Sequence, residues 1–326
     1  MKTILPQLRF ILLTGMLTAG LIGCKKDSTD SDTLPPGVTK ESDGFYYVKD
    51  VVTWPNKTTD GSTDYEFDAP LIVSGRLIIE PGVKVVFHQS SMINPATYIL
   101  VSGNIVANGT SENPIEFSGD GTNNSFTKIN LQNNNTEVNE FSYCIFNRNW
   151  ADNYPGHTNE FTYVDGLLES VGNPYSTQNI NVKVNHCTFK NGNLGVKFGD
   201  NVNLLEFNNN LITSNLILDY SALFDIHCVG AVNSSNNFYG NSNNQVAVIS
   251  YGPGSYPKTL KDAVTIHKLD GTSYVYDAGF GSYIVLEGGT ITLEPGVEQV
   301  FPILCQSGSS PSQTGDLTTG YSFFCN

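Results

Sequence analysis

Val73-Ser74-Gly75-Arg76-Leu77-Ile78-Ile79-Glu80-Pro81-Gly82-Val83-Lys84-Val85-Val86-Phe87 decides the fold, because the same phrase returns as Glu287-Gly288-Gly289-Thr290-Ile291-Thr292-Leu293-Glu294-Pro295-Gly296-Val297-Glu298-Gln299-Val300-Phe301. Each copy is a short run of alternating apolar residues, a Pro-Gly turn, and a second alternating run. Short strands broken by tight turns, repeated along a chain, are the pattern of a stacked β-solenoid whose coils share one core.

Smaller echoes set the size of a coil. Val73-Ser74-Gly75 recurs as Val101-Ser102-Gly103, and Lys84-Val85-Val86-Phe87 is echoed by Pro114-Ile115-Glu116-Phe117. Further on, the phrases at Tyr143-Cys144-Ile145-Phe146, His186-Cys187-Thr188-Phe189, Asn209-Asn210-Leu211-Ile212 and Asn236-Asn237-Phe238 align as one column. Period-2 alternation puts Cys144 with Phe146, Cys187 with Phe189, and Asn210 with Ile212 on one strand face. Asn191 and Asn215 then fall at turns, where asparagine tolerates left-handed backbone. The neighbouring Cys144 and Cys187 are expected as buried thiols rather than a disulfide, with Cys228 another core thiol.

From about Phe45 to Phe301 the chain resembles the right-handed parallel β-helix superfamily, the pectate-lyase-like fold, in its Gly-bounded strands, its Glu-Pro-Gly-Val turns, the Asn113-Pro114-Ile115-Glu116-Phe117 step and its Cys-x-Phe coils. The expected fold class is therefore all-β, a right-handed parallel β-helix. Residues 1–23, with Lys2 and Arg9 ahead of an apolar stretch and Leu21-Ile22-Gly23-Cys24 at its end, resemble a bacterial lipoprotein signal. That resemblance implies a diacylglycerol on Cys24 and outer-membrane attachment. Lys25-Lys26-Asp27-Ser28-Thr29-Asp30-Ser31-Asp32 resembles the acidic export signal of Bacteroidota surface lipoproteins. Residues 24–43 are read as a flexible acidic tether, 44–301 as the β-helix, and 302–326 as an irregular tail. Either a Cys305–Cys325 disulfide closes that tail as a cap, or the reading frame is truncated.

Composition narrows the partners. The formal net charge is −14, and removing residues 1–23 takes away Lys2 and Arg9 and no acid, leaving −16. Nucleic acid is not an expected partner, since phosphate backbones require a basic surface. Membrane contact is expected through the lipid alone. No Cys-x-x-Cys or paired Cys/His spacing occurs, so zinc is not expected; Asp60-Gly61-Ser62-Thr63-Asp64 departs from the calcium-loop pattern, so the expectation is no metal or cofactor, with calcium an alternative that no motif supports.

The resemblance covers fold and is nearly silent on activity. Polysaccharide lyases of this kind are understood to use an Arg or Lys base with calcium. After residue 23 the chain has two arginines, Arg76 and Arg148, and no carboxylate set suited to calcium. Glycoside hydrolases pair two carboxylates across a sugar ring. No adjacent Asp-Asp and no Gly-His-Gly phrase is present.

Coiling is interrupted once. Aligning Gly166-Leu167-Leu168-Glu169 with Gly195-Val196-Lys197-Phe198 leaves two insertions, at 150–163 and 170–178, one on each side of the same strand. Two loops so placed would wall a cleft, and aromatic side chains there can stack on sugars. Trp150, Tyr154, Tyr163 and Tyr175 are the expected ligand contacts. Arg148, Asp152, His157, Asp165 and Glu169 are the first titratable groups to test for chemistry. The leading expectation is a non-catalytic glycan binder; a lyase or hydrolase using this cleft, and a passive spacer, are the alternatives.

Overall fold

The computed structural model describes residues 34–89, 97–122, 125–132, 136–149, 165–170, 179–215, 220–249, 259–276, 284–286, 290–297, 299–300, 303–305, 312–313 and 323–325. Within them the chain is all-β, with one short 3₁₀ turn at Val229–Ala231. Its strands pair in parallel, except Val38–Lys40, which runs antiparallel to Tyr46–Val48. Among the described residues the first strand is Val38–Lys40, within residues 24–43.

Three sheets are visited in rotation. Leu71–Val73 lies in the first sheet, Arg76–Ile79 in the second and Lys84–Phe87 in the third; the chain then returns to the first sheet at Ile99–Val101, beside Leu71–Val73. The first sheet has eleven strands, and the other two have six each. This order, which neighbours strands one circuit apart, is compatible with a β-helix. From Thr259 on, Tyr274–Tyr276 and Gln299–Val300 continue the first sheet, and the other described strands form two further parallel sheets of four and three strands. Three short strands, Ile303–Cys305, Ser312–Gln313 and Phe323–Cys325, fall in the tail expected to be irregular, and Cys305 and Cys325 are register partners. A run of two or three residues is too short for alternation to reveal, and a neighbouring strand offers it a ladder.

The repeated phrases are the corners. In both Glu-Pro-Gly-Val copies the valine N–H donates to the glutamate carbonyl, Val83 to Glu80 and Val297 to Glu294, with φ of 85° at Gly82 and 79° at Gly296. Proline at the second position and a positive-φ glycine at the third make a type II turn. In the Val-Ser-Gly phrases Gly103 lies directly under Gly75: a Cβ on Gly103 would stand 1.9 Å from the Gly75 carbonyl oxygen.

Alternate residues of each strand fill one core. Phe117, Phe146 and Phe189 stack with ring centroids 5.4 and 4.6 Å apart, and Phe67, Phe87 and Phe126 form a second file at 5.6 and 5.3 Å. Each buried phenylalanine contributes on the order of 1.5–3 kcal/mol against a large ordering entropy. Phe146 pairs with Phe189, and Phe189 with Ile212, as the column requires. Phe117 stands opposite Val85 rather than Phe87. That two-residue shift keeps the core face unchanged, because strand side chains repeat every second residue. The turn positions differ in one place: Asn191 has φ 59°, but in the next circuit Ser214 takes the left-handed conformation (φ 56°) and Asn215 is buried.

One surface group gives the fold a pH dependence. His88 faces Asp120 through Nδ1 (3.0 Å) and Glu66 through Nε2 (3.1 Å). Burial works to lower its pKa, but the two carboxylates outweigh it and raise it. Burial alone would raise the Asp120 carboxyl; bonds from Thr122 and His88 bring it down to about 2. A raised histidine contributes stability below its unfolded value of about 6.5, lost as pH rises through the folded value. A depressed aspartate contributes above its unfolded value of about 3.9, lost as pH falls toward about 2. The melting temperature of the parent should therefore exceed that of His88→Gln most at about pH 5, with the gap closing at alkaline pH. A gap constant from pH 5 to 9 would show that the ring acts by packing alone.

Candidate functional site

Two polar constellations stand out, on different sheets. The first surrounds Glu169, in the strand Gly166–Ser170. The expected alignment set Glu169 beside Phe198; the register instead pairs it with Lys197 on one side and Asn130 on the other. A one-residue slip exchanges the two faces of a strand, so it also changes the chemistry of every neighbour.

Lys128, just ahead of the strand Ile129–Leu131, reaches across this register. Its Nζ lies 2.6 Å from Asp165 Oδ1 and 2.8 Å from Glu169 Oε1. The Gly166 N–H donates to Glu169 Oε2 at 3.1 Å. Burial works to lower the Lys128 pKa, and the two carboxylates reverse this and raise it. One ammonium shared by two acids does not fully compensate both: burial raises the carboxyl of Glu169, which is 2% exposed, against the opposing pull of Lys128. Arg148 is buried nearby, its pKa lowered by burial and partly restored by Asp165. The structure therefore gathers Arg148, Asp165 and Glu169 around Lys128 and Lys197, two residues that sequence reading missed. All five residues of Gly166–Ser170 and of Leu194–Phe198 are buried, on both faces. Glu169 is engaged by a cation and a backbone amide and is closed to solvent, an arrangement that ties two circuits together. Trp150, Asp152, Tyr154, His157, Tyr163 and Tyr175, like Cys24, lie outside the described residues.

The second constellation is an open cleft of about 490 Å³ where the second sheet turns into the third. It is built on three successive left-handed residues, Tyr143, His186 and Asn209, with φ of 49°, 55° and 55°. Such a residue turns the chain sharply and leaves its side chain outside the barrel of strands. Tyr143 and His186 stack face to face, ring centroids 4.5 Å apart and planes 2° from parallel.

Beside the rings runs a ladder of side-chain amides. Asn233 Nδ2 donates to Asn208 Oδ1 (2.8 Å), Asn208 Nδ2 to Asn185 Oδ1 (3.1 Å), and Asn185 Nδ2 to Glu206 Oε2 (2.7 Å). Ser235 Oγ donates to Asn233 Oδ1 at 2.6 Å and accepts the Asn209 N–H at 2.9 Å. Lys183 Nζ lies 2.8 Å from Glu206 Oε1, and this bond, with that from Asn185, lowers the Glu206 pKa. Ser142 completes the lining, which includes His186 and Asn209, while Tyr143 backs the His186 ring from outside it. Each amide carries two N–H groups and two lone pairs, so a ladder spending one donor per rung keeps donors and acceptors for a ligand. The volume lies within the range of small-ligand clefts.

The signal for this site was present in the sequence: Tyr143, His186 and Asn209 head the aligned phrases one residue before Cys144, Cys187 and Asn210. Stacked coils bring such positions together, and the rings with them. Among the described residues, no three His, Cys, Asp or Glu side chains gather to hold a metal ion. No family model, no curated protein and no solved structure matches the chain.

Proposed function

We propose that this chain is a lipid-anchored outer-membrane protein, exposed at the cell surface, whose right-handed parallel β-helix binds extracellular glycan without cleaving it. The Leu21-Ile22-Gly23-Cys24 phrase and the acidic segment after it support the anchor and the address. Parallel strands visiting three sheets in rotation support the helix.

The observation that carries the binding role is the His186 ring, backed by its stack on Tyr143, beside the Asn185–Asn208–Asn233 ladder in the cleft. Sugars present an apolar ring face edged by hydroxyls. A planar aromatic surface takes the first, and amides and a carboxylate bond the second. Against turnover stands the state of Glu169 and Asp165, both committed to Lys128, with Glu169 sealed from any substrate.

Replacing Tyr143 and His186 together by Ala in the full chain should weaken glycan retention by about tenfold or more, the loss of one good stacking contact at about 1.4 kcal/mol per tenfold. Circular dichroism and melting temperature serve as folding controls, since both side chains lie outside the core. Retention equal to the parent's in a folded double variant would remove the site.

A further inference from the structure

The Lys183–Glu206 pair sits at the edge of the cleft, and it says which glycans the cleft takes. Lys183 and Glu206 are register partners on adjacent strands of the second sheet. Lys183 also stands opposite Glu140 on its other side. Of the residues lining the cleft, Glu206 is the one carboxylate, and no lysine or arginine is among them. The cation nearest to hand is engaged at 2.8 Å by that same carboxylate.

We propose that the Lys183–Glu206 pair is a specificity device that makes the cleft select uncharged sugars over uronic-acid and other anionic glycans. The inference rests on the glycan-binding reading of the Tyr143–His186 cleft and names its ligand class.

Recognition of a carboxylate or sulfate calls for a charge-assisted donor, most effectively a guanidinium or ammonium. Here Glu206 occupies the ammonium and presents negative charge of its own. An anionic sugar would have to displace Glu206 from Lys183 or stand beside it uncompensated. A neutral hexose or N-acetylhexosamine meets no such barrier, and its hydroxyl groups can donate to the carboxylate while amide N–H groups donate to its oxygens. Selectivity of this kind comes from a built-in repulsion against the wrong ligand as well as from contacts to the right one. The chain's net charge of −14 acts in the same direction at longer range.

The test uses the full chain in detergent against matched oligosaccharides: a neutral glucan, an N-acetylhexosamine oligomer and an oligouronate of equal length. Three variants accompany the parent: Glu206→Gln, Lys183→Gln/Glu206→Gln, and His186→Ala. The parent is expected to bind a neutral oligomer and not the uronate. Glu206→Gln keeps the acceptor for Asn185, removes the repulsion and releases Lys183. It should raise uronate affinity by about fivefold or more, the effect of one unit charge about 4 Å away in water. The double variant, which lacks the ammonium as well as the repulsion, should gain less than Glu206→Gln. His186→Ala should weaken neutral binding in every background.

A parent that binds the uronate as tightly as the neutral oligomers, with binding lost in His186→Ala, would overturn the selectivity and leave the glycan site standing. A Glu206→Gln protein that folds and gains no uronate affinity would also overturn it. No binding to any oligomer would overturn the selectivity and the glycan reading together.

Discussion

Gly103→Ala is expected to open the fold locally, at a cost of about 3 kcal/mol or more. The added Cβ would lie 1.9 Å from the Gly75 carbonyl oxygen and 2.6 Å from that of Ser74, both backbone atoms with no rotamer to move to. Relief requires the third circuit to shift away from the second. That shift would pull on the bonds from Gly103 N to the Val73 carbonyl (2.8 Å) and from Asn104 N to the Gly75 carbonyl (2.9 Å). The constraint repeats one circuit earlier, where a Cβ on Gly75 would stand 2.2 Å from the Asp50 carbonyl oxygen. Stacked repeats lose stability near the lesion first, because each circuit contacts its neighbours and little else. Hydrogen exchange should therefore show lost protection at 73–79 and 99–108, with 202–213 unchanged. Ser102→Ala, which removes only a long 3.5 Å bond to the Val73 carbonyl, serves as the control and should stay close to the parent. Undiminished protection in Gly103→Ala would contradict the close stacking of these corners.

Asn210→Ala is expected to cost about 2–4 kcal/mol, because it orphans the buried Cys187 N–H at about 1–3 kcal/mol, removes the side-chain bonds to Val184 and Asn236, and leaves a small void. Asn210 is 1% exposed. Its Oδ1 accepts the Cys187 N–H at 2.9 Å, and its Nδ2 donates to the Val184 carbonyl and to Asn236 Oδ1, each at 3.0 Å. The same task is performed in four circuits by two different side chains. Cys144 Sγ donates to the Ala107 carbonyl (3.2 Å), Cys187 Sγ to that of Phe141 (3.5 Å), Asn210 Nδ2 to that of Val184, and Asn236 Nδ2 to that of Phe207 (2.8 Å). Those four acceptors are themselves register neighbours on the second sheet. Asn210→Cys should therefore be milder than Asn210→Ala, since the thiol restores the donor to Val184 and fills part of the space. Amide exchange at 180–190 and 202–213 measures both. Equal losses in the two variants would show that the donor to Val184 does not matter.

That column shows what could be read in advance and what could not. Placing Cys144, Cys187 and Asn210 on one inward face needed only the two-residue period and the repeated phrase, and the structure puts all three in the interior. Their hydrogen bonds were not legible, because the acceptors belong to the preceding circuit and are fixed by register. The same reason explains the charged cluster. Arg148, Asp165 and Glu169 lie close in sequence and were singled out, whereas Lys128 and Lys197 enter only once Glu169 is set opposite Asn130 and Lys197. Aligning Gly166 with Gly195 on glycine identity moved that strand by one residue; the true partner of Gly166 is Leu194. Tyr143 and His186 were visible as heads of their phrases, yet the stacking of their rings follows from the left-handed turns that both residues make. Aromatic loop residues attract attention because loops so often carry function. Among the described residues, the ring that lines a cleft is His186, at a corner between two strands.

The account's central claim is retention of a glycan without turnover, and one measurement tests it most directly. The full chain in detergent is incubated with a panel of soluble polysaccharides; retained polymer is measured alongside reducing ends and unsaturated sugar released over a day. The account predicts retention of at least one neutral polymer, weakened by Tyr143→Ala with His186→Ala, and no release above a heat-denatured control. Release of reducing or unsaturated sugar by the folded parent would contradict the account, as would failure to retain any polymer.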